Sequence, residues 1–165
     1  MDAGWMLPEL AFEWIERHIP MGSTILELGS GYGSHRLSKK YTMYSIEHDE
    51  QWVHKFNHKY IHAEIKEDTE GIPWYDSEVL RNEIPDKYDL LIIDGPPSEI
   101  GRIGLLNQID LFHWDQPVLI DDTHREEEKH IVKQILSKFN LSEQIFSETF
   151  EPNSTLREFR VLNPT

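Results

Sequence analysis

Apolar residues in this chain follow two different spacings, and their alternation predicts strands separated by helices. Leu7, Leu10, Ala11, Trp14, Ile15 and His18 recur at helical spacing after Pro8, which suits a first turn, and Pro20-Met21-Gly22 closes that helix. Residues 24–28 read as a buried strand entering a glycine-rich turn, and residues 34–40 as a short helix. The unit then repeats, with strands over 41–47 and 60–65, a helix over 50–58, and a polar connection to a helix over 77–82. Tyr88-Asp89-Leu90-Leu91-Ile92-Ile93 is the most continuous apolar run, the mark of a central parallel strand covered on both faces. A helix over 102–112, a strand over 117–120 and a long helix striped by Ile131, Val132, Ile135, Leu136 and Phe139 complete the alternation. The tail alternates over 143–149 and 156–162 about Glu151-Pro152-Asn153-Ser154, as a hairpin of two strands does.

This order predicts an α/β fold of Rossmann-like, three-layer type: a mostly parallel, seven-stranded sheet closed by a C-terminal antiparallel hairpin. A length of 165 residues holds one such domain, with residues 1–22 placed as a helix covering the site. No apolar run reaches the roughly 20 residues that span a bilayer, and the first residues lack the basic and apolar pattern of a secretion signal. A soluble, cytoplasmic protein is expected. The chain has no cysteine, which leaves carboxylates, histidines and hydroxyls to carry chemistry. Its formal net charge of -14 opposes a phosphate backbone, so neither nucleic acid nor membrane is an expected partner.

In open α/β sheets ligands bind beyond the carboxyl ends of the strands, near the switch in strand order. At the first of these ends stands Glu27-Leu28-Gly29-Ser30-Gly31-Tyr32-Gly33, and Glu47 ends the next strand twenty residues after Glu27, where a carboxylate can accept both hydroxyls of a ribose. A nucleoside cofactor fits this pattern. The dinucleotide fingerprint prefers glycine or alanine where Ser34 stands, and Glu27 would face a pyrophosphate unfavourably but suits a cofactor with an ammonium and a sulfonium. Together with Ser45-Ile46-Glu47-His48-Asp49 and the 88–94 strand, the glycine segment resembles the class I S-adenosylmethionine-dependent methyltransferases over nearly the whole chain. The resemblance implies that Gly29 and Gly31 border the cofactor's methionine part, that Ser30 between them also binds the cofactor, and that Glu27 supports the loop or the amino group. It implies as well that Glu47 holds the ribose and that His48 packs near the adenine.

Asp94 ends the fourth predicted strand of that sheet, and Asp121 and Asp122 end the fifth, so three carboxylates approach one another. Crowded carboxylates favour a hard cation, and a bound divalent ion would lower the pKa of a substrate hydroxyl. The positions resemble those of the catechol-type, metal-dependent O-methyltransferases, which implies Mg²⁺ or another divalent cation on Asp94, Asp121 and Asp122. Asp122 replaces a common asparagine there, and Pro97 stands where a lysine base is often found. His124, just beyond the acidic pair, becomes the candidate base beside Asp94 and Asp121 as catalytic residues. The Asp121-Asp122 pair equally suits helix capping. The 94–102 segment resembles stretches of methyltransferases acting on sugars and small natural products, with Arg102 available to pair with an acidic group. The expected reaction is methyl transfer to an oxygen of a small molecule or sugar, in a chain that can form a homo-oligomer, under a lid formed by short loops, Trp5 and Trp14. A metal-free N-methyltransferase, an NAD-linked oxidoreductase and a non-catalytic adenosylmethionine-binding subunit are the alternatives.

Overall fold

A computed structural model describes residues 6–151 and 153–165; Trp5 and Pro152 lie outside them. The chain runs α1 (Glu9–His18), β1 (Thr24–Leu28), α2 (Tyr32–Ser38), β2 (Thr42–Glu47), β3 (Lys59–His62), β4 (Ile65–Glu67) and β5 (Pro73–Tyr75). It continues through α3 (Ser77–Glu83), β6 (Leu90–Ile93), a 3-10 segment (Ile103–Leu111), β7 (Val118–Asp121), α4 (Glu126–Lys138), β8 (Leu141–Phe150) and β9 (Thr155–Pro164).

Seven strands form one sheet in the order β3-β2-β1-β6-β7-β9-β8. The pairs from β3 to β7 are parallel, whereas β9 runs antiparallel to both β7 and β8. Alternate side chains of the central strands enter opposite layers, as strand geometry requires. Leu26, Leu28, Leu91, Ile93, Val118 and Ile120 pack with Trp74, Leu80, Leu105, Ile131 and Ile135 on one face. Ile25, Leu90, Ile92 and Leu119 pack with Ala11, Phe12, Trp14, Ile15 and Leu37 on the other. Both faces are therefore covered, which explains why 88–93 reads as an unbroken apolar run.

The order reverses between β1 and β6, and the crevice beyond their carboxyl ends is the site such sheets provide. Three local predictions give way to other structure. Residues 50–58 form turns rather than a helix: Asp49 accepts the Gln51 N–H on its side chain at 2.9 Å, and His54 takes a left-handed φ of 63° that interrupts any helical run. The 60–65 strand divides, with β3 ending at His62 and Ile65 opening the small antiparallel pair β4–β5. The 102–112 helix is a 3-10 segment broken at Gln108, whose φ and ψ are -118° and 17°. Trp14 is buried in the α1 layer and does not line the site cavity, so this part of the expected lid gives way to Met6, which does. No described helix is long and apolar enough to cross a membrane.

Candidate functional site

The glycine turn after β1 is built by close backbone contact. Gly29 has φ +88°, and a Cβ on it would stand 2.8 Å from the Asp94 carbonyl oxygen, so the loop after β1 lies directly on the loop after β6. Gly31 differs: its φ of 178° is ordinary extended backbone, and a Cβ there would meet nothing within 4 Å, on the cavity wall. Beneath the turn, the Glu27 carboxylate accepts hydrogen bonds from the Ser34 and Ser45 hydroxyls, the latter at 2.5 Å. The Ser34 oxygen in turn accepts the Gly31 N–H at 3.0 Å. Burial pushes the Glu27 carboxyl up to about 7, against the two serine hydrogen bonds that lower it. Glu27 is thus a brace under the loop, 4% exposed, rather than an open wall of the main cavity.

Glu47 closes β2 and is held to the same loop. One carboxylate oxygen accepts the Ser30 N–H at 3.1 Å and the Ser30 hydroxyl at 2.7 Å, and the other accepts the Asp49 N–H at 2.8 Å. Fixed by three donors, it still lines the cavity. His48 follows with its Nδ1 3.2 Å from Glu47 and its ring 6.4 Å from that of Tyr75. Tyr32 and Trp52 meet edge to face at 5.6 Å and form an aromatic lip on this half.

At the other half, one ligand atom from each of Asp94, Asp121 and Asp122 lies within 4.8 Å of the others. The predicted convergence of these strand ends is present, and so are cations. Arg102, 3% exposed, places Nη2 at 3.1 Å from Asp122 and 3.6 Å from Asp94. Arg125 stands 3.4 Å from Asp122, and Arg157 of β9 stands 3.4 Å from Asp121 while donating to the Met6 carbonyl at 2.7 Å. Asp94 keeps 26% of its side chain open to the cavity, yet burial, then the Asp121 charge, raise its carboxyl well above the usual range against the pull of Arg102. Burial and the Asp122 charge push Asp121 up to about 6, with Arg157 opposing. Each of the three carboxylates already faces a guanidinium, so a divalent ion there would compete with Arg102, Arg125 and Arg157 for their oxygens.

These two halves form one cavity of about 710 Å³. Gly29, Ser30, Gly31, Glu47, His48, Asp94, Asp121 and Asp122 line it; His124 is exposed and does not. Pro97 lines it as well, so no lysine stands at that position. Several lining residues escape a reading of the sequence alone, Met6, Trp52, Tyr75 and Arg157 among them. Arg157 arrives from the far end of the chain, and Tyr75 from the small β4–β5 pair. The Tyr75 hydroxyl is buried without a hydrogen-bond partner among the described residues, at 2.5 Å from where a Cβ on Gly95 would stand. The adjacent aromatics in Pro73-Trp74-Tyr75 were the available signal.

No protein-family model matches the sequence, and no curated protein matches it either. Solved structures do match. A methyltransferase from Pyrococcus furiosus aligns at 15% identity over 93% of this chain and 81% of its own, with a TM-score of 0.58. An rRNA methylase from Streptococcus thermophilus aligns at 10% identity over 94% and 95%, with a TM-score of 0.61. An O-methyltransferase from Streptomyces achromogenes involved in tomaymycin synthesis, solved with adenosylmethionine, aligns at 11% identity over 88% and 74%, with a TM-score of 0.56. Nucleic-acid and small-molecule methyltransferases thus both occur among the similar structures. In strand order, reversed terminal strand and layering, this chain has the fold of the class I S-adenosylmethionine-dependent methyltransferases.

Proposed function

We propose that the protein is an S-adenosylmethionine-dependent methyltransferase that acts on an oxygen of a small molecule or a sugar. The observation that carries this reading is the single cavity joining Glu47 and the glycine turn at one end to Asp94, Asp121 and Asp122 at the other. The first half suits a nucleoside: Glu47 would accept the ribose hydroxyls, and the backbone at Gly31, where a Cβ would meet nothing within 4 Å, leaves room for the methionine part. When bound, adenosylmethionine supplies an activated methyl group and its leaving sulfide. The protein's work is then orientation, proton removal and exclusion of water.

Asp121, with a carboxyl raised towards neutrality and one buried oxygen without a partner among the described residues, is the proton acceptor in this reading. The Tyr75 phenol, held protonated by burial, donates to the bound ligand. His124 has no part in it. No step runs through a metal, because guanidiniums already face all three carboxylates. RNA, the class named for the Streptococcus thermophilus neighbour, is disfavoured as the acceptor by a formal charge of -14.

Calorimetric titration with adenosylmethionine, S-adenosylhomocysteine and NAD tests the cofactor. Saturable binding of the first two is expected, weakened roughly 100-fold in Glu47→Ala through loss of charge-assisted hydrogen bonds. Preference for NAD, or an unchanged affinity in Glu47→Ala, would overturn the reading. A screen of hydroxylated acceptors with labelled adenosylmethionine follows, where transfer lost in Asp121→Asn is the expected result.

A further inference from the structure

The strand-end carboxylates stand where the metal-dependent O-methyltransferases that the sequence resembles would hold an ion, and a buried side chain holds that ground. Arg102 enters from the loop after β6 with its guanidinium enclosed. Its Nε donates to the Pro96 carbonyl at 3.1 Å and its Nη1 to the Asp121 carbonyl at 3.3 Å, while the backbone N–H is held by Glu127 at 3.1 Å. Those bonds fix the fork. They leave Nη2 between Asp122 and Asp94, at 3.1 and 3.6 Å, and Nη1 at 3.9 Å from the buried Glu128.

A guanidinium suits this place because it is planar, permanently charged and weakly hydrated, so it suffers less from burial than an ammonium does. The carboxylates are equally dependent on it, since a buried carboxylate without a cation is strongly disfavoured. A divalent ion would have to take Asp94 and Asp122 oxygens from a guanidinium anchored by backbone carbonyls.

We infer that Arg102 is the resident cation of the acceptor half: its guanidinium takes the place of a divalent ion and holds Asp94 and Asp122 in the orientation that an acceptor hydroxyl meets. The role in methyl transfer rests on the function proposed above; the occupancy of the carboxylate cluster by Arg102 does not. Arg102 is a positioning residue, acting through the carboxylates it holds.

The test is ion binding, with Mn²⁺ as probe because it favours sites made of oxygen ligands. Free Mn²⁺ is measured by electron paramagnetic resonance, with calorimetry for Mg²⁺, on wild type, Arg102→Lys, Arg102→Ala and Asp122→Asn. Adenosylmethionine is titrated into the same samples with Mg²⁺ and with EDTA. Wild type and Arg102→Lys are expected to take up neither ion, and wild-type adenosylmethionine affinity to stay within about twofold between the two conditions. Arg102→Ala, which frees Asp94 and leaves Arg125 and Arg157 as the cations still beside Asp122 and Asp121, is expected to gain Mn²⁺ binding at least about tenfold tighter than wild type. If that variant is too unstable to titrate, its unfolding midpoint should rise with added Mn²⁺, whereas the wild-type midpoint should not. Stoichiometric Mn²⁺ binding by wild type that Asp122→Asn abolishes, or no ion response of either kind in Arg102→Ala, overturns the inference. Failure of wild type to bind adenosylmethionine overturns the proposed function instead, and the Mn²⁺ result still decides which cation the cluster holds.

Discussion

Burying a carboxylate beneath a glycine turn is unfavourable once it ionises, and Glu27 makes that cost visible as a pH dependence. Its ordinary value of 4.5 applies to the unfolded chain, whereas burial raises it to about 7 in the fold. The folded protein therefore keeps the proton where the unfolded chain has lost it. The resulting stability is fully present below 4.5 and is lost as pH rises through about 7, a change on the order of 3 kcal/mol. In Glu27→Gln the serine hydrogen bonds retain an acceptor but nothing titrates, so chemical denaturation between pH 4.5 and 7.5 should show a flatter stability profile than wild type. Equal slopes in the two proteins would mean that Glu27 is not the titrating group. Tyr75 provides a second test at this scale, since its hydroxyl is buried without a partner against the cavity. Tyr75→Phe should fold as well as wild type, because it removes an unsatisfied group, while ligand affinity falls about five- to tenfold. An affinity unchanged by calorimetry would show that the phenol does not meet the ligand. Glu27, Gly29 and Glu47 were legible in the sequence because a strand, a glycine turn and a second strand lie within twenty-odd residues. The burial of Arg102 was not legible, because its partners come from β7 and α4 as well as from its own loop. His124 follows Asp121 and Asp122 in sequence, but the turn before α4 sends it to solvent.

Strands and long helices were readable from periodicity because each buries a regular set of positions, as Leu90 to Ile93 and Ile131 to Ile135 do. The pieces that escaped are short and stabilised by tertiary contact. β4 and β5 have three residues each, too few to display a period, and β5 holds its place by burying Trp74 and Tyr75. The 3-10 segment has apolar spacing that a longer helix shares, and it packs closely on that strand. A Cβ on Gly104 would stand 2.5 Å from the Trp74 Cβ and 3.2 Å from the Pro73 carbonyl, atoms that cannot swing aside. Gly104→Ala should therefore destabilise by about 1–3 kcal/mol and lower the thermal midpoint by roughly 3–10 °C. The same lesion should loosen Tyr75 and weaken adenosylmethionine binding in parallel. A variant with the wild-type midpoint would show that the two elements part more easily than their spacing indicates.

For the whole molecule the question is what class of acceptor the electrostatics admit. Polyanion binding draws its affinity from cations free to displace condensed counterions, and the strength of its salt dependence reports how many take part. This chain has 16 basic side chains against 30 acidic ones. The arginines closest to the cavity are already engaged: Arg102 is buried, and Arg125 and Arg157 each face a strand-end carboxylate. Around the rim stand Asp49 and Glu99, which would meet a phosphate backbone at short range. On the proposed reading a small polyol would meet hydrogen-bonding carboxylates and an aromatic lip in this cavity, whereas an RNA strand would have to approach its acidic rim. Fluorescence anisotropy with a structured RNA at low salt should therefore show no saturable binding by the wild-type protein. Micromolar affinity with a steep negative dependence on salt would instead reveal a basic surface brought in by assembly or by a partner. Such a result would move the proposed acceptor from small hydroxylated molecules to RNA while leaving the proposed cofactor half of the cavity unchanged.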